Sequence, residues 1–256
     1  MKILLTNDDG YSSEGIKALE LALGTAHEVW TLAPDSERSG MSHSMSLRHP
    51  LKIRKMAERG YSCSGTPADC VILAAHGVIP FVPDVVVSGI NRGPNLGTDL
   101  IYSGTAAAAR QATLNGIPGI AVSLATYTGP FRYVALANLV AERLEYLVSL
   151  WSPDVFINLN APEEPDGYRY DIVEAFPSRR IYKDTIKFFE GPEGYSYCFF
   201  MDGHVDTHQE KGSDEDVVNR GLASVTRVLA YPRAAGGLSD GGSEGLALAR
   251  EDGAAR

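Results

Sequence analysis

Lys2-Ile3-Leu4-Leu5-Thr6-Asn7-Asp8-Asp9-Gly10 is an apolar run that stops on two adjacent carboxylates and a glycine. Ser13 to Leu23 follows, with Ile16, Leu19, Ala22 and Leu23 at helical spacing. A buried strand over Lys2 to Asn7 and a helix after it make one strand–helix unit, and the pattern recurs down the chain. Glu28 to Pro34 reads as a second strand, and Thr66-Pro67 is an N-cap and first-turn pair opening a helix through Val71, Ile72 and Ala75. Asp84 to Ser88 is a short β-branched strand, and Ser103 to Asn115 is an alanine-rich helix that stops at Gly116-Ile117-Pro118. Gly119 to Leu124 is a strand, Phe131 to Leu150 a long amphipathic helix, and Val155 to Leu159 one more strand. This alternation predicts an α/β fold, a three-layer, doubly wound, mostly parallel Rossmann-like sheet over residues 1–160.

Past Ala161 the pattern changes to short aromatic and β-branched runs: Asp171 to Phe176, Arg180 to Phe189 and Tyr195 to Phe200. They read as hairpin strands, with Gly191-Pro192-Glu193-Gly194 as a turn and Ala223 to Ala230 as a last strand returning to the core. Residues 161–233 are therefore expected to form a β-hairpin extension used in self-association, giving a homodimer or a tetramer. Residues 234–256 hold six glycines, six alanines and no aromatic residue, and are expected to be a disordered tail.

The 256 residues carry 23 Lys and Arg against 32 Asp and Glu, a net charge of −9. That balance argues against binding a polynucleotide or a membrane surface, which needs a basic face. It leaves room for an anionic small molecule, since a bound divalent cation inverts the local charge. Three cysteines without a CxxC pair, no secretory signal and no apolar run of the ~20 residues that span a bilayer make the cytoplasm the expected location.

Ligands of an open α/β sheet gather outside the carboxyl ends of its strands. Asp8 and Asp9 stand at such an end. Adjacent carboxylates repel unless a cation lies beside them, and hard oxygen donors suit magnesium, manganese or calcium; the plainer alternative is a solvated Asp-Asp-Gly turn. Ser36-Glu37-Arg38-Ser39-Gly40-Met41-Ser42-His43-Ser44 follows the second strand and alone reads as a polar loop. The stretch Ser88-Gly89-Ile90-Asn91-Arg92-Gly93-Pro94-Asn95-Leu96-Gly97-Thr98-Asp99 leads to Tyr102-Ser103-Gly104-Thr105 and a run of four alanines. Ser103, Gly104 and Thr105 would offer N–H groups and hydroxyls to an anion at the start of a helix, or simply cap it. All three loops follow strands of one parallel sheet and should share one edge, a combination that points to phosphoryl chemistry. No G-x-G and no Gly-Lys-Ser/Thr occurs, so dinucleotide and P-loop readings lose ground.

Asn7-Asp8-Asp9-Gly10, Ser39-Gly40 to Ser44, and Ser88-Gly89-Ile90-Asn91 through Ser103-Gly104-Thr105 together resemble the SurE family of stationary-phase survival proteins, over about residues 1–230. The resemblance implies a metal-dependent 5′(3′)-nucleotidase that also hydrolyses short polyphosphate. It implies one divalent ion per subunit, Mg²⁺ or Mn²⁺, on Asp8, Asp9, Ser39 and Asn91, with phosphate held by Asn95, Ser103, Gly104 and Thr105. Asp8 would serve as general base. The alternative is a non-catalytic nucleotide- or polyphosphate-binding regulator, which would need no paired carboxylates. An aspartyl-phosphate route would call for an Asp-x-Asp spacing that is missing at this strand end.

Overall fold

The computed structural model describes residues 1–208 and 210–234; the tail expected over 234–256 lies, apart from residue 234, outside them. Eleven strands and five α-helices follow one another along the described chain. They are β1 (Lys2–Thr6), α1 (Glu14–Leu23), β2 (Glu28–Pro34), β3 (Ile53–Ala57), β4 (Gly60–Cys63), α2 (Pro67–Leu73), β5 (Val85–Arg92), α3 (Gly104–Leu114), β6 (Gly119–Leu124), α4 (Val134–Ser149), β7 (Val155–Ala161), β8 (Ile172–Glu174), β9 (Arg180–Glu190), β10 (Ser196–Thr207), α5 (Asp214–Asn219) and β11 (Ala223–Leu229). Nine strands form one sheet in the order β3-β4-β2-β1-β5-β6-β7-β11-β8, and β9 and β10 form a separate antiparallel hairpin arm.

The central strands β4, β2, β1, β5, β6 and β7 are parallel. Side chains alternate across them. In β1, Ile3 and Leu5 enter the core under α1 and α4 with Val85, Val87, Ile120 and Val122, while Leu4 enters the opposite core with Val86, Cys70 of α2 and Ala108 of α3. The three-layer reading therefore holds, and the buried Cys63 and Cys70 are packing residues of the α2 side. From β1 the chain crosses through α1 to β2 on one side, and from β5 through α3 to β6 on the other. The reversal falls between the adjacent β1 and β5, so the crevice that such a sheet offers a ligand opens where Asp8 and Asn91 lie.

Three expectations need correction. Asp171 to Phe176 is no hairpin strand: β8 joins the main sheet, parallel to β11, which is itself antiparallel to β7. A three-residue run has too little pattern to reveal its partner. The strict alternation of strands and helices is broken by β3 and β4, an antiparallel pair at the sheet edge; β3 is exposed along its whole length and carries no apolar alternation. The long helix begins at Val134 rather than Phe131, after a loop that holds Pro130. One helix went unforeseen, although its signal is present: Ser213 caps α5 by accepting a bond from Asp216 N–H, ahead of a first turn holding Asp214, Glu215 and Asp216.

Candidate active site

Asn7 shapes the turn after β1. Its side-chain amide donates to Gly10 O (3.0 Å) and Ser13 Oγ (2.6 Å), and its Oδ1 accepts Gly10 N–H (3.1 Å). Gly10 sits at φ +99°, a region glycine enters at little cost. The turn delivers Asp8, which is buried, against the N-terminus of α3: Oδ1 accepts the Thr105 hydroxyl (2.5 Å) and Oδ2 accepts Thr105 N–H (3.2 Å). A side chain at Gly104 would meet Asp8 Cβ and Oδ2 at 2.9 Å, so a hydrogen at that position is what lets the carboxylate lie there. Burial pushes the Asp8 carboxyl above its ordinary range, and the bonds from Thr105 and the Gly104 and Thr105 amides pull it back.

Asp9 accepts Arg92 N–H through Oδ2 (3.1 Å), which ties the first loop to the end of β5. Its carboxyl is pushed up to about 6, first by burial and then by the charge of Asp8. The Arg92 charge and N–H offset part of this, and two carboxylates side by side still favour a positive charge nearby. Arg38 N–H donates to Asp8 O (2.7 Å) and draws the serine-rich loop over the site, where the exposed Ser39 donates its hydroxyl to Glu37 (3.0 Å). Across the crevice, the β5–β6 register slips between Ser88 and Asn91. Gly89, at φ +142°, permits this, because a Cβ there would lie 2.3 Å from Val122 O. Asn91 then donates its amide to Gly93 O (2.8 Å), so its Oδ1 is the polar atom left for a ligand.

Asn95 is held on every side. Its N–H donates to Asn160 Oδ1 (2.8 Å), its carbonyl accepts from Asn158 (2.9 Å) and Asn160 (3.1 Å), and its amide donates to Ser123 Oγ (2.8 Å). All four residues are buried. Ser103 caps α3 by accepting Ala106 N–H (3.0 Å), which keeps its hydroxyl hydrogen for another acceptor.

A cavity of about 250 Å³ is lined by Asp8, Ser39, Asn91, Asn95 and Ser103 together with Asp99, Tyr102, Tyr127 and Tyr182, while Asp9 is not part of its lining. A larger hollow of about 1000 Å³, near Lys211, Glu215 and Arg220, gathers none of the predicted site residues, so chemistry rather than size picks out the site. Among the described residues no group of three or more His, Cys, Asp or Glu comes together, which leaves two carboxylates and neutral oxygens as the donor set.

Gly104 and Thr105, for which the resemblance implies phosphate contacts, lie against Asp8. Both are buried, and the Thr105 N–H and hydroxyl go to the protein's own Asp8 carboxylate. The anion at this helix N-terminus is internal, and neither residue lines the cavity. Asp99 and the three tyrosines line the candidate site, and Asn158, Asn160 and Arg180 bond to residues that line it; the sequence reading missed all of them. Asn158 and Asn160 were legible in principle, as two amides on one face of a strand otherwise made of Val155, Phe156, Ile157, Leu159 and Ala161. The others come from segments that only the fold brings together.

The sequence model of the family described as Survival protein SurE matches residues 3–182, a span that includes every residue of this cavity. The protein named 5′-nucleotidase SurE from Geotalea uraniireducens is 42% identical over 228 residues, covering 88% of this chain and 92% of that one. Its namesake from Petrotoga mobilis is 38% identical over 237 residues, covering 90% and 94%. The crystal structure of the SurE protein from Aquifex aeolicus superposes with a TM-score of 0.74 at 33% identity, covering 90% of this chain and 94% of that one. With the Asn-Asp-Asp-Gly turn, the slipped β5 end and the capped α3 all within the matched span, this chain belongs to the survival protein SurE family.

Proposed function

We propose that this chain hydrolyses nucleoside 5′- and 3′-monophosphates to nucleoside and phosphate, using one divalent cation, Mg²⁺ or Mn²⁺, per subunit. The observation that supports the reading is the carboxylate pair at the strand reversal, Asp8 buried and Asp9 half-buried, with Asp8 lining a cavity that also presents the neutral oxygens of Ser39, Asn91, Asn95 and Ser103. Similarity to relatives named 5′-nucleotidase supports the substrate class. Short polyphosphate presents the same terminal phosphoryl group and belongs in the same substrate panel.

The residues fit a hard cation. Asp8, Asp9, the Ser39 hydroxyl oxygen and Asn91 Oδ1 would hold it, and two carboxylates with two neutral oxygens are the donors Mg²⁺ and Mn²⁺ accept. When bound, such an ion supplies Lewis acidity toward a phosphoryl oxygen and acidifies water. Asp8 is the general base: a carboxyl raised by burial and fixed by Thr105 takes a proton from the attacking water. Asn95 has a second amide hydrogen and Ser103 a hydroxyl hydrogen to donate to the phosphoryl oxygens, both set on rigid backbone. Thr105 orients Asp8, and Gly104 gives it room. Phosphate release from AMP and GMP is expected with Mg²⁺ or Mn²⁺ and to fall at least about 100-fold in EDTA, with recovery when the metal is restored. Full turnover in EDTA would overturn the reading, and nucleotide binding without turnover under either metal would make the chain a binder.

The arm supports a further proposal, self-association into at least a dimer. β9 is exposed from Ile181 to Glu190, and Phe188 and Phe200 rank among the most exposed aromatic residues. Light scattering is expected to give at least a dimer mass for the native chain and a shift toward monomer for the Phe188→Ser, Phe200→Ser double variant; a native monomer would refute this.

A further inference from the structure

We propose that Tyr102, Tyr127 and Tyr182 form a nucleoside-binding wall, the feature by which this cavity prefers a phosphomonoester carrying a nucleobase over one without. The inference rests on the phosphomonoesterase reading above.

The three rings reach one cavity from three segments: the turn before α3, the β6–α4 loop, and β9 at the root of the arm. The same cavity is lined by Asp8, Asn91, Asn95 and Ser103. The lining thus combines oxygen donors with aromatic rings, the two kinds of contact that a molecule carrying both a phosphate and a flat heteroaromatic ring calls for.

These rings are held without being buried. Tyr102, Tyr127 and Tyr182 are 55%, 67% and 40% exposed, so packing of the fold does not account for their positions. Two are fixed by their hydroxyls instead. Tyr182 donates to Asp99, and Tyr127 accepts from Arg180 Nη2 (2.7 Å). Asp99 and Arg180 are themselves buried and paired, with Glu215 3.8 Å from the guanidinium. A desolvated ion pair is costly to assemble and adds little net stability; here its outer atoms hold two exposed rings at the cavity mouth. The same pairing neutralises Arg180, so it is not a free cation waiting for phosphate. Tyr102 meets Tyr182 edge-on, with ring centroids 6.4 Å apart at 89°, so the two rings brace each other at the cavity.

The test compares AMP with ribose 5-phosphate, which keeps the sugar and phosphate and lacks the base. Turnover with Mg²⁺ or Mn²⁺ gives the ratio of their kcat/KM values, and calorimetry gives the ratio of their affinities whether or not turnover occurs. Stacking of a base on an aromatic ring predicts a fall in the AMP preference of about 5- to 100-fold in Tyr102→Ala and in Tyr182→Ala. The loss should fall mainly on KM for AMP, and Tyr102→Phe, which keeps the ring, should restore the ratio. An unmoved ratio, an equal loss on both ligands, or failure of the Phe variant to rescue would overturn the proposal. Absence of turnover on both substrates in the native chain would defeat the phosphomonoesterase reading, and the affinity ratio would then decide the wall on its own.

Discussion

Asp8→Asn is expected to lower kcat for AMP by about 10³-fold or more while leaving the melting temperature no lower than that of the parent chain. Asp8 carries two burdens, as the proposed cation ligand and as the base that receives a proton, and loss of general-base function alone typically costs about 10²–10⁴-fold. The stability half follows from a separate fact. Burial is the largest influence on the Asp8 carboxyl and raises it, so in the metal-free fold the ionised group is held at a cost at neutral pH. The sign is that of a group whose folded pKa exceeds its unfolded value, and it makes the carboxylate a liability to the fold above the unfolded pKa. Asparagine keeps an oxygen to accept from Thr105 and removes the buried charge. A variant that loses activity and melts markedly lower would mark Asp8 as structural rather than catalytic. Thermal melts in EDTA beside initial-rate assays with added metal make the comparison.

Gly97→Ala should be among the most damaging single-methyl additions in the molecule. Gly97 sits at φ +50°, and a Cβ there would lie 1.8 Å from Ser178 O and 2.6 Å from its carbonyl carbon. Its N–H donates to Asp214 Oδ2 (2.8 Å), while Asp214 Oδ1 accepts Ser178 N–H (2.8 Å) and Arg180 N–H donates to Thr98 Oγ1 (3.0 Å). The loop that carries Asn95 and Asp99 is thus stitched to the root of the arm and to α5 with no space for one carbon. Left-handed backbone in an alanine costs about 1–2 kcal/mol and overpacking a tight contact about 1–3 kcal/mol. The sum, about 2–5 kcal/mol, corresponds to a fall of roughly 5–15 °C in Tm for a chain of this size. Gly167→Ala is the control: φ is +87°, but nothing lies within 4 Å of the added carbon, so only the backbone cost remains. Equal losses in the two variants would contradict the close packing of the loop on the arm. Activity in Gly97→Ala should fall as well, since the displaced backbone bears Asn95.

Much of the candidate site's local geometry was legible because it is written in local chemistry. An apolar strand ending in Asn-Asp-Asp-Gly, and a glycine-rich connection ending in Ser-Gly-Thr before alanines, announce a turn, a carboxylate pair and a capped helix without long-range information. The limit appears where two local signals meet in space. Ser103-Gly104-Thr105 reads correctly as a helix start, but that the start is filled by Asp8 depends on β1 and α3 being neighbours. Arg180 and Asp99 are 81 positions apart, and nothing in either neighbourhood indicates an ion pair. The run Asp171 to Phe176 fails for a related reason, since strand propensity identifies an extended segment and says nothing of which edge receives it.

The place of β11 has a consequence for how the molecule is made. Among the described residues β8 pairs only with β11, and β11 in turn covers β7, the strand whose Asn158 and Asn160 clasp Asn95. As the polypeptide leaves the ribosome, the arm emerges before Ala223 to Leu229. For that interval the nascent chain carries the whole set of site residues on a sheet whose β7 edge is bare, beside a hairpin with exposed Phe188 and Phe200. A product stalled before Ala223 would keep the Asp8–Asp9 turn and α3 but present two unpaired strand edges to its neighbours, the form of this chain most prone to associate wrongly.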